Sequence, residues 1–395
     1  MDQWQELEAK YFMRTFSRVP LTFVRGQGAH LWDADGKEYL DFVSGWAVDS
    51  LGHCHPAVVK AVQEQVATLI QTSNQYYTVP QVQLAELLVK NSALDRVFFC
   101  NSGAEANEGA AKLARRYGEQ FLNGAYEIVT TLGSFHGRTL MMVAATGQQR
   151  HQQLYAPLPN GFVNVAFNDI DAIRAATTER TCAVMLEPIQ GEGGVNVPDA
   201  GYLKAVREWC DERGILLILD EIQTGIGRCG SLFAYQQFGI VPDIITLAKG
   251  IASGLPIGAF LATERASVFQ PGEHGSTFGG NPVMCAAAYA TLSYILEQGL
   301  VAHAAAMGER LVRGLLALKT KYPVVGEVRG RGLLLAVEFD REIGQDMLDG
   351  CLTAGLLVNR VKPNAIRLMP PLNVTPEEVD AGLAILDRVL AETTL

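Results

Sequence analysis

The sequence predicts an α/β protein with a large domain, whose mostly parallel sheet lies between helices, and a smaller α+β domain. Short runs rich in Val, Ile and Leu alternate with longer amphipathic runs through the middle of the chain. Buried strands separated by helices are typical of a parallel sheet covered on both faces. After about residue 280 the pattern changes to long helical runs and weakly alternating strands. We therefore expect a large domain at 56–280 and a small domain at 281–395, which the N-terminal segment 1–55 joins.

Each predicted strand of the large domain is a compact apolar run, and the predicted helices have a longer amphipathic period. Strands are predicted at 96–100, 126–131, 181–187, 215–220, 243–247 and 258–263, and helices at 104–122 and 201–213. In the small domain, helices are predicted at 282–297 and 301–319 and a strand at 333–339. Thr375 and Glu378 have the spacing of a capping box, with Pro376 at the first position of a last helix that ends near residue 391. Near the N-terminus, strands at 29–32 and 38–41 flank a turn at Asp35 and Gly36.

Composition excludes several classes of protein. Of 395 residues, 48% are hydrophobic and 19% charged, which supplies a sizeable core and excludes a disordered chain. The net charge of −10 and the lack of a basic cluster argue against nucleic acid as a partner. Seven scattered cysteines without a CxxC pair predict reduced, buried thiols. We find neither a signal peptide nor an apolar run long enough for a membrane, so we expect a cytoplasmic protein.

The first motif that carries chemistry is residues 100–108 (CNSGAEANE), which follow a predicted strand and begin a helix. Ser102, Gly103 and Ala104 would present free backbone N–H groups at the helix N-terminus, where a phosphate is favoured. The same string also fits an ordinary N-cap by Asn101 or Ser102. Taken alone, the string leaves both interpretations open.

Two further motifs end predicted strands. Asp220 follows an apolar strand, and a carboxylate at the carboxyl end of a parallel strand faces the ligand crevice of α/β folds. Lys249 follows the strand at 243–247 and enters a loop of small residues, a setting for a lysine of lowered pKa. The alternatives are a strand-end aspartate that caps a turn and a surface lysine.

The three motifs together match the parts that pyridoxal 5′-phosphate needs. A lysine binds the cofactor's aldehyde carbon, a carboxylate keeps its pyridine nitrogen protonated, and a helix N-terminus binds its phosphate. The protonated ring withdraws electrons, so that a substrate proton next to nitrogen becomes removable. The lysine is then placed to move that proton as a general base and acid.

Two other motifs favour structural interpretations. Residues 225–230 (GIGRCG) fit G-x-G-x-x-G, but they neither follow a strand directly nor open a helix, which argues against a dinucleotide site. His53 and His55 resemble a metal pair, but no third ligand cluster is evident. We expect turns at both places and no metal.

Five segments in order resemble the class III pyridoxal-phosphate aminotransferases, and most of all the acetylornithine aminotransferases of bacterial arginine synthesis. They are residues 101–107 (NSGAEAN), 187–192 (EPIQGE), 220–225 (DEIQTG), 248–250 (AKG) and 275–282 (GSTFGGNP). The resemblance covers nearly the whole chain. It implies fold type I and a homodimer with active sites at the subunit interface.

The resemblance also implies cofactor contacts. Lys249 matches the lysine that binds the cofactor covalently, and Asp220 the partner of the pyridine nitrogen. The other matching positions are Gln223 at the phenolic oxygen, Phe135 stacked on the ring with His136 beside it, Ser102, Gly103 and Ala104 at the phosphate, and Thr277, which reaches the phosphate in the neighbouring subunit.

Substrate contacts follow from the same resemblance. Arg138 and Arg367 match arginines that bind substrate carboxylates, and Glu192 matches the acid that pairs with Arg367. Bidentate guanidinium pairing suits carboxylates. Glu192 would neutralise Arg367 when the reacting end of the donor carries no carboxylate. With 2-oxoglutarate, Arg367 would bind the α-carboxylate and Arg138 the distal one.

Two positions depart from the ornithine aminotransferases. Phe16 stands where they carry a tyrosine that helps to bind ornithine, and Trp46 stands where they carry another tyrosine, in the strand before residues 52–56 (GHCHP). Both changes remove a hydroxyl and argue against free ornithine. Acetylornithine enzymes usually carry a smaller aliphatic residue at the second position, so the indole could narrow the acyl pocket or form a flat wall for the acyl amide.

The resemblance predicts ping-pong transfer of the 5-amino group of N-acetylornithine to 2-oxoglutarate. Succinyldiaminopimelate, ornithine, 4-aminobutyrate and carrier-linked lysine stay open as alternative donors. An aminomutase would need no 2-oxoglutarate, so Arg138, Arg367 and Glu192 disfavour it. A binding protein on a retired scaffold would be expected to have lost Lys249 or Asp220.

Overall fold

The N-terminal part of the chain contributes a small sheet to the computed structural model, which describes residues 3–393. Helix α1 (Gln3–Tyr11) is followed by strands β1 (Phe23–Gln27), β2 (His30–Asp33) and β3 (Glu38–Asp41), which pair antiparallel in sequence. The segment α2 (Ser44–Ala47) is one left-handed turn, because its four residues all have φ between 47° and 64°. The expectation of a strand at Trp46 is therefore wrong: left-handed backbone cannot continue a sheet.

Seven strands form the central sheet, and their order is β4-β10-β9-β8-β7-β5-β6. They are β4 (Arg96–Cys100), β5 (Glu127–Thr131), β6 (Phe162–Val165), β7 (Thr181–Leu186), β8 (Leu216–Asp220), β9 (Ile244–Leu247) and β10 (Gly258–Ala262). Pairs from β9 to β6 are parallel, whereas β10 is antiparallel to both of its neighbours. Every residue of β7 and β8 is buried, as expected for strands covered on both faces. The predicted mostly parallel sheet is confirmed, and β6 was not predicted.

Helices cover both faces of this sheet. They are α3 (Pro56–Val66), α4 (Val79–Lys90), α5 (Gly103–Phe121), α6 (Leu140–Ala145), α7 (Gln149–Gln152), α8 (Ile170–Ala176), α9 (Tyr202–Arg213) and α10 (Pro282–Glu297). Helix α5 buries an alanine-rich face against the sheet, which lets its N-terminus lie close to the strand ends. Short 3₁₀ turns lie at Gln153–Tyr155, Ala234–Phe238 and Lys249–Ala252.

The C-terminal part has a four-stranded antiparallel sheet, in the order β11-β12-β15-β14, packed on long helices. Its elements are α11 (Leu300–Lys321), β11 (Val325–Arg331), β12 (Leu334–Phe339), α12 (Gly344–Thr353), β14 (Asn359–Lys362), β15 (Ala365–Leu368) and α13 (Pro376–Thr393). Strand β13 (Leu356–Leu357) leaves this group and pairs in parallel with β3 of the N-terminal sheet. Segments from both ends of the chain therefore share one sheet, while the division at residues 55 and 280 stays a prediction.

The two motifs expected to be structural do form turns. Residues 222–229 are a run of turns after β8, with Gly227 at φ 86°. His53 Nε2 lies 2.8 Å from Asp41 Oδ2, and His55 Nδ1 accepts the Ala57 N–H at the start of α3. Among the described residues, no group of three His, Cys, Asp or Glu side chains could hold a metal, and no helix could cross a membrane.

Candidate active site

The carboxyl ends of β4, β7, β8 and β9 meet around one cavity of about 430 Å³. Most of the side chains that the sequence singles out lie in its lining. They are Ser102, Gly103, Ala104, Phe135, His136, Arg138, Glu192, Asp220, Gln223 and Lys249. Arg367 of β15 belongs to the same group of side chains because it contacts Glu192 and Gln223. The site thus lies where open α/β sheets bind ligands.

The N-terminus of α5 forms one end of the cavity. Ser102 caps the helix by accepting the Glu105 N–H at 3.2 Å, so the first-turn N–H groups of Gly103 and Ala104 have no intrahelical acceptor. A Cβ on Gly103 would lie 2.8 Å from Cδ1 of Ile222, which also lines the cavity. This closely fitted end suits an anion such as phosphate.

Asp220 is a buried carboxylate with three hydrogen-bond donors. Its Oδ2 accepts from Asn107 Nδ2 and contacts His136 Nδ1, both at 2.8 Å, and its Oδ1 accepts the Ile222 N–H. Burial alone would lower the pKa of His136, but the hydrogen bond and charge of Asp220 outweigh it and raise that pKa. The arrangement holds Asp220 in one orientation, suited to a protonated ring nitrogen.

Lys249 follows β9 with φ 44°, a left-handed conformation that side chains rarely adopt. Burial is the main cause that lowers its pKa, and Arg367 adds to it, against the opposing charges of Glu192, Asp220 and Glu187. A buried amine of lowered pKa is the nucleophile that a carbonyl-bearing cofactor requires. Strained backbone at this position is typical of a functional site.

Arg367 is fully buried and makes a network with three side chains. Its Nη2 lies 2.8 Å from Glu192 Oε1, its Nη1 donates to Gln223 Oε1 at 2.9 Å, and Asn359 Oδ1 accepts from Nε and Nη2. Gln223 Nε2 also donates to Glu192 Oε1 at 3.1 Å. Burial would raise the pKa of Glu192, but Arg367, Lys249 and Gln223 outweigh it and lower that pKa to about 2.

Phe135 and Arg138 lie at the outer side of the cavity. The Phe135 N–H donates to Glu187 Oε2 at 3.0 Å, which fixes the backbone that carries the ring. The Arg138 guanidinium is exposed; it stacks 5.3 Å from the Phe135 ring centroid and donates to His151 Nδ1 at 3.2 Å. An exposed guanidinium beside the cavity is available to a carboxylate.

Asn107, Glu187 and Asn359 also contact site residues, although no sequence motif predicted a role for them. Burial raises the pKa of Glu187 to about 7 against the charge of His136, and the side chain accepts backbone N–H groups of Phe135 and Gly191. Glu187 directly follows β7, and Asp220 is the last residue of β8, so Glu187 could have been found by its place at a strand end. Asn107 is a polar residue on the buried alanine face of α5, which is a comparable signal.

Besides Arg367, which reaches the cavity lining through Glu192 and Gln223, three predicted site residues do not line the cavity within one chain. Phe16 and Trp46 have 63% and 50% of their surface exposed, and Thr277 lies in an exposed loop. The Thr277 carbonyl accepts from Gln71 Nε2, and Ser276 contacts Asn74 in the same segment. The structure therefore places the Thr277 loop against residues 71–74 and at the border of the cavity, where Ser276 Oγ accepts from Asn101 Nδ2 at 3.2 Å.

The donor set fits pyridoxal phosphate. It offers an amine for the aldehyde, a carboxylate for the ring nitrogen, an aromatic side chain for the ring face, and helix N–H groups for the phosphate. The unpartnered first-turn N–H groups of α5 and the carboxylate of Asp220 both face the cavity that Lys249 lines.

Residues 11–390 match the family model described as aminotransferase class-III. The chain belongs to the class-III aminotransferases. It is 50% identical to acetylornithine aminotransferase of Caldanaerobacter subterraneus subsp. tengcongensis over 386 residues, which cover 98% of each chain. It is 47% identical to acetylornithine aminotransferase of Methanocaldococcus jannaschii over 393 residues, which cover 99% of this chain and 98% of the relative.

Ornithine aminotransferase of Toxoplasma gondii, in a structure that reveals partial occupancy of PLP at its active site, superposes with a TM-score of 0.94 at 32% identity. The superposition covers 99% of this chain and 94% of that one. Class-III aminotransferases are pyridoxal-phosphate enzymes, so the predicted family, fold, enzyme class and cofactor are confirmed.

Proposed function

We propose that this class-III aminotransferase moves the 5-amino group of N-acetylornithine to 2-oxoglutarate, giving N-acetylglutamate 5-semialdehyde and glutamate. The observation that carries the proposal is the Arg367–Glu192 ion pair at 2.8 Å beside the cavity that Lys249 lines. Because Glu192 can neutralise the positive charge of Arg367 or release it, one site can accept an ω-amine and a dicarboxylate in turn. The choice of donor rests on the two acetylornithine aminotransferases at 47% and 50% identity.

The proposed roles of the cofactor-site residues follow from their positions. When bound, pyridoxal phosphate supplies an aldehyde for the amino group and a ring that withdraws electrons from the amine carbon. Lys249 would hold the cofactor through Nζ, and the same Nζ, once released, would take a proton from the carbon that bears the amine. Asp220, held by Asn107 and His136, keeps the ring nitrogen protonated.

Glu192 and Arg367 switch between two states in this proposal. The reacting end of the donor carries an amine but no carboxylate. While the donor is bound, Glu192 therefore keeps its ion pair with Arg367 and cancels the charge of the guanidinium. With 2-oxoglutarate, the α-carboxylate takes the place of Glu192 on Arg367, and Arg138 binds the distal carboxylate. Because the pKa of Glu192 is about 2, the exchange is between two anions and needs no protonation of Glu192.

We further propose a cytoplasmic homodimer in which Thr277 contacts the cofactor phosphate of the partner subunit. The Thr277 loop packs against residues 71–74, and large apolar side chains are exposed on both sides of this contact. Tyr76, Tyr77 and Phe278 have 67%, 98% and 63% of their surface exposed. A second copy that covers this face would bury them and would bring Thr277 to the interface.

A donor panel with 2-oxoglutarate tests the function. Glutamate formation would be measured with N-acetylornithine, succinyldiaminopimelate, ornithine, 4-aminobutyrate and a carrier-linked lysine. We expect kcat/KM for N-acetylornithine to exceed that for ornithine by at least about tenfold, because the relatives at 50% and 47% identity are acetylornithine aminotransferases. A higher kcat/KM for any other donor would overturn the assignment.

A further inference from the structure

Asn359 holds one edge of the Arg367 guanidinium. The two residues are cross-strand partners of β14 and β15, and Asn359 Oδ1 accepts from Nε at 3.1 Å and from Nη2 at 2.7 Å. One oxygen thus occupies the edge through which an arginine most often binds a carboxylate side-on. Arg367 itself is fully buried, so solvent does not reach that edge.

A substrate carboxylate must therefore approach the other edge, formed by Nη1 and Nη2. Glu192 occupies Nη2 on that edge, and Gln223 occupies Nη1. The two acids would compete for the same N–H group. Glu192 is the partner with freedom to leave, since a third of its side chain is exposed, whereas the Arg367 side chain is fully enclosed.

We propose that Asn359 is a positioning and specificity residue that keeps Arg367 stationary while Glu192 exchanges with the acceptor's α-carboxylate. Its neutral amide is essential to this role, because it fixes the guanidinium without cancelling its charge. Arg367 consequently carries a full positive charge once Glu192 departs. The inference rests on the proposed function, of which it specifies the acceptor half.

The test replaces the amide with the isosteric carboxylate, Asn359→Asp, which stays ionised beside a guanidinium. Glutarate, a dicarboxylate without a reactive carbonyl, is the binding probe, and calorimetry on the holoenzyme gives its Kd. We expect Asn359→Asp to weaken the binding of glutarate by about 20-fold or more, because the new carboxylate permanently neutralises Arg367. The rate of the donor half-reaction, followed by cofactor absorbance, should stay within about threefold of the wild type.

Asn359→Ala separates charge from anchoring. This substitution removes the hydrogen-bond acceptor of Arg367 Nε, so the guanidinium can move together with Glu192. Binding of glutarate should therefore weaken by about three- to fivefold, which is less than in Asn359→Asp. Asn123→Asp, the same substitution in an exposed left-handed turn, is the matched control and should change neither half-reaction. Thermal unfolding and cofactor absorbance of each variant report whether the fold is retained.

Three outcomes overturn the inference: equal losses in both half-reactions, unchanged glutarate binding in Asn359→Asp, or a larger loss in Asn359→Ala than in Asn359→Asp. If the wild type fails to use N-acetylornithine, the proposed donor is wrong. Glutarate binding to the wild type and to Asn359→Asp still decides the role of Asn359 in that case.

Discussion

Lys249 differs from an exposed lysine in its burial, its left-handed backbone and the direction of its pKa shift. Lys249→Ala should lower turnover with every donor by at least about a thousandfold, because no other amine of residues 3–393 lines the cavity. The absorbance band of covalently bound cofactor should disappear with it. Lys60→Ala, at a lysine with a 75% exposed side chain, is the control and should leave both unchanged. Normal turnover in Lys249→Ala would refute the assignment.

Glu192 gives a prediction about charge and pH. Glu192→Gln unmasks Arg367, so glutarate should bind about five- to tenfold more tightly, a range that allows for the partial exposure of Glu192. The donor half-reaction should slow by a similar factor. Because the folded-state pKa is about 2, below the ordinary 4.5, the ion pair is present above pH 4.5 and is lost as pH falls towards 2. An acid limb of the wild-type donor rate near pH 6 that vanishes in Glu192→Gln would contradict this account.

The N-terminus of α5 is the element that the proposed phosphate site depends on. Gly103→Ala should weaken binding of pyridoxal phosphate to the apoenzyme by about tenfold, because the new Cβ would lie 2.8 Å from Ile222 Cδ1 and push that side chain into the cavity. Fluorescence titration gives the Kd. Ile222→Val removes Cδ1, so the double variant should recover part of the loss. The absence of any recovery would mean that the glycine acts through backbone conformation instead.

The last helix, α13, begins with the capping box formed by Thr375 and Glu378. Thr375 Oγ1 accepts the Glu378 N–H at 3.2 Å, and Glu378 Oε2 accepts the Thr375 N–H at 2.7 Å. Thr375→Ala should lower the free energy of unfolding by about 1 kcal/mol, since one N–H loses its acceptor. Denaturant unfolding would measure it. Thr320→Ala, inside the last turn of α11, should be neutral or slightly stabilising because alanine favours helix interiors.

At the scale of elements, short sequence patterns predicted those features that depend on neighbouring residues, namely the buried strands and a helix cap. Apolar runs located six of the seven central strands, and the spacing of Thr375 and Glu378 located a cap that forms as predicted. The left-handed turn around Trp46 was missed, because four consecutive positive φ values include three non-glycine residues and carry no propensity signal. The antiparallel placement of β10 also depends on tertiary pairing, which the strand's own residues do not encode.

The same limit applies to the site. Asp220 and Lys249 were predictable because Asp220 ends an apolar strand and Lys249 closely follows one. Glu187, which directly follows β7, could have been found in the same way. Asn359 was not predictable, since its role depends on which residue of β15 lies opposite it. Strand register is set by packing of the whole small sheet, so a single residue string cannot supply it.

At the scale of the whole molecule, the exposed apolar face around residues 71–82 is a feature that one chain leaves unexplained. Tyr77 is 98% exposed, and the hydrogen bonds of Gln71 and Asn74 tie this segment to the Thr277 loop. Leaving such a face in water is unfavourable, and a second copy of the chain is the occupant we propose. Catalysis and assembly would then depend on the same surface.

Tyr77→Asp should therefore separate subunits and lower activity together. A buried, unpaired carboxylate at the interface should weaken the dimer by at least about 100-fold, which sedimentation velocity would detect as monomer at micromolar concentration. Activity per subunit should fall on dilution and rise again with protein concentration, because in this proposal Thr277 contacts the cofactor phosphate of the partner subunit, which requires the dimer. Phe121→Asp, at a 61% exposed aromatic residue on the C-terminal end of α5, is the control and should stay dimeric. Full activity of a monomeric Tyr77→Asp variant would show that the cavity of one chain suffices, and the proposed role of Thr277 would then be wrong.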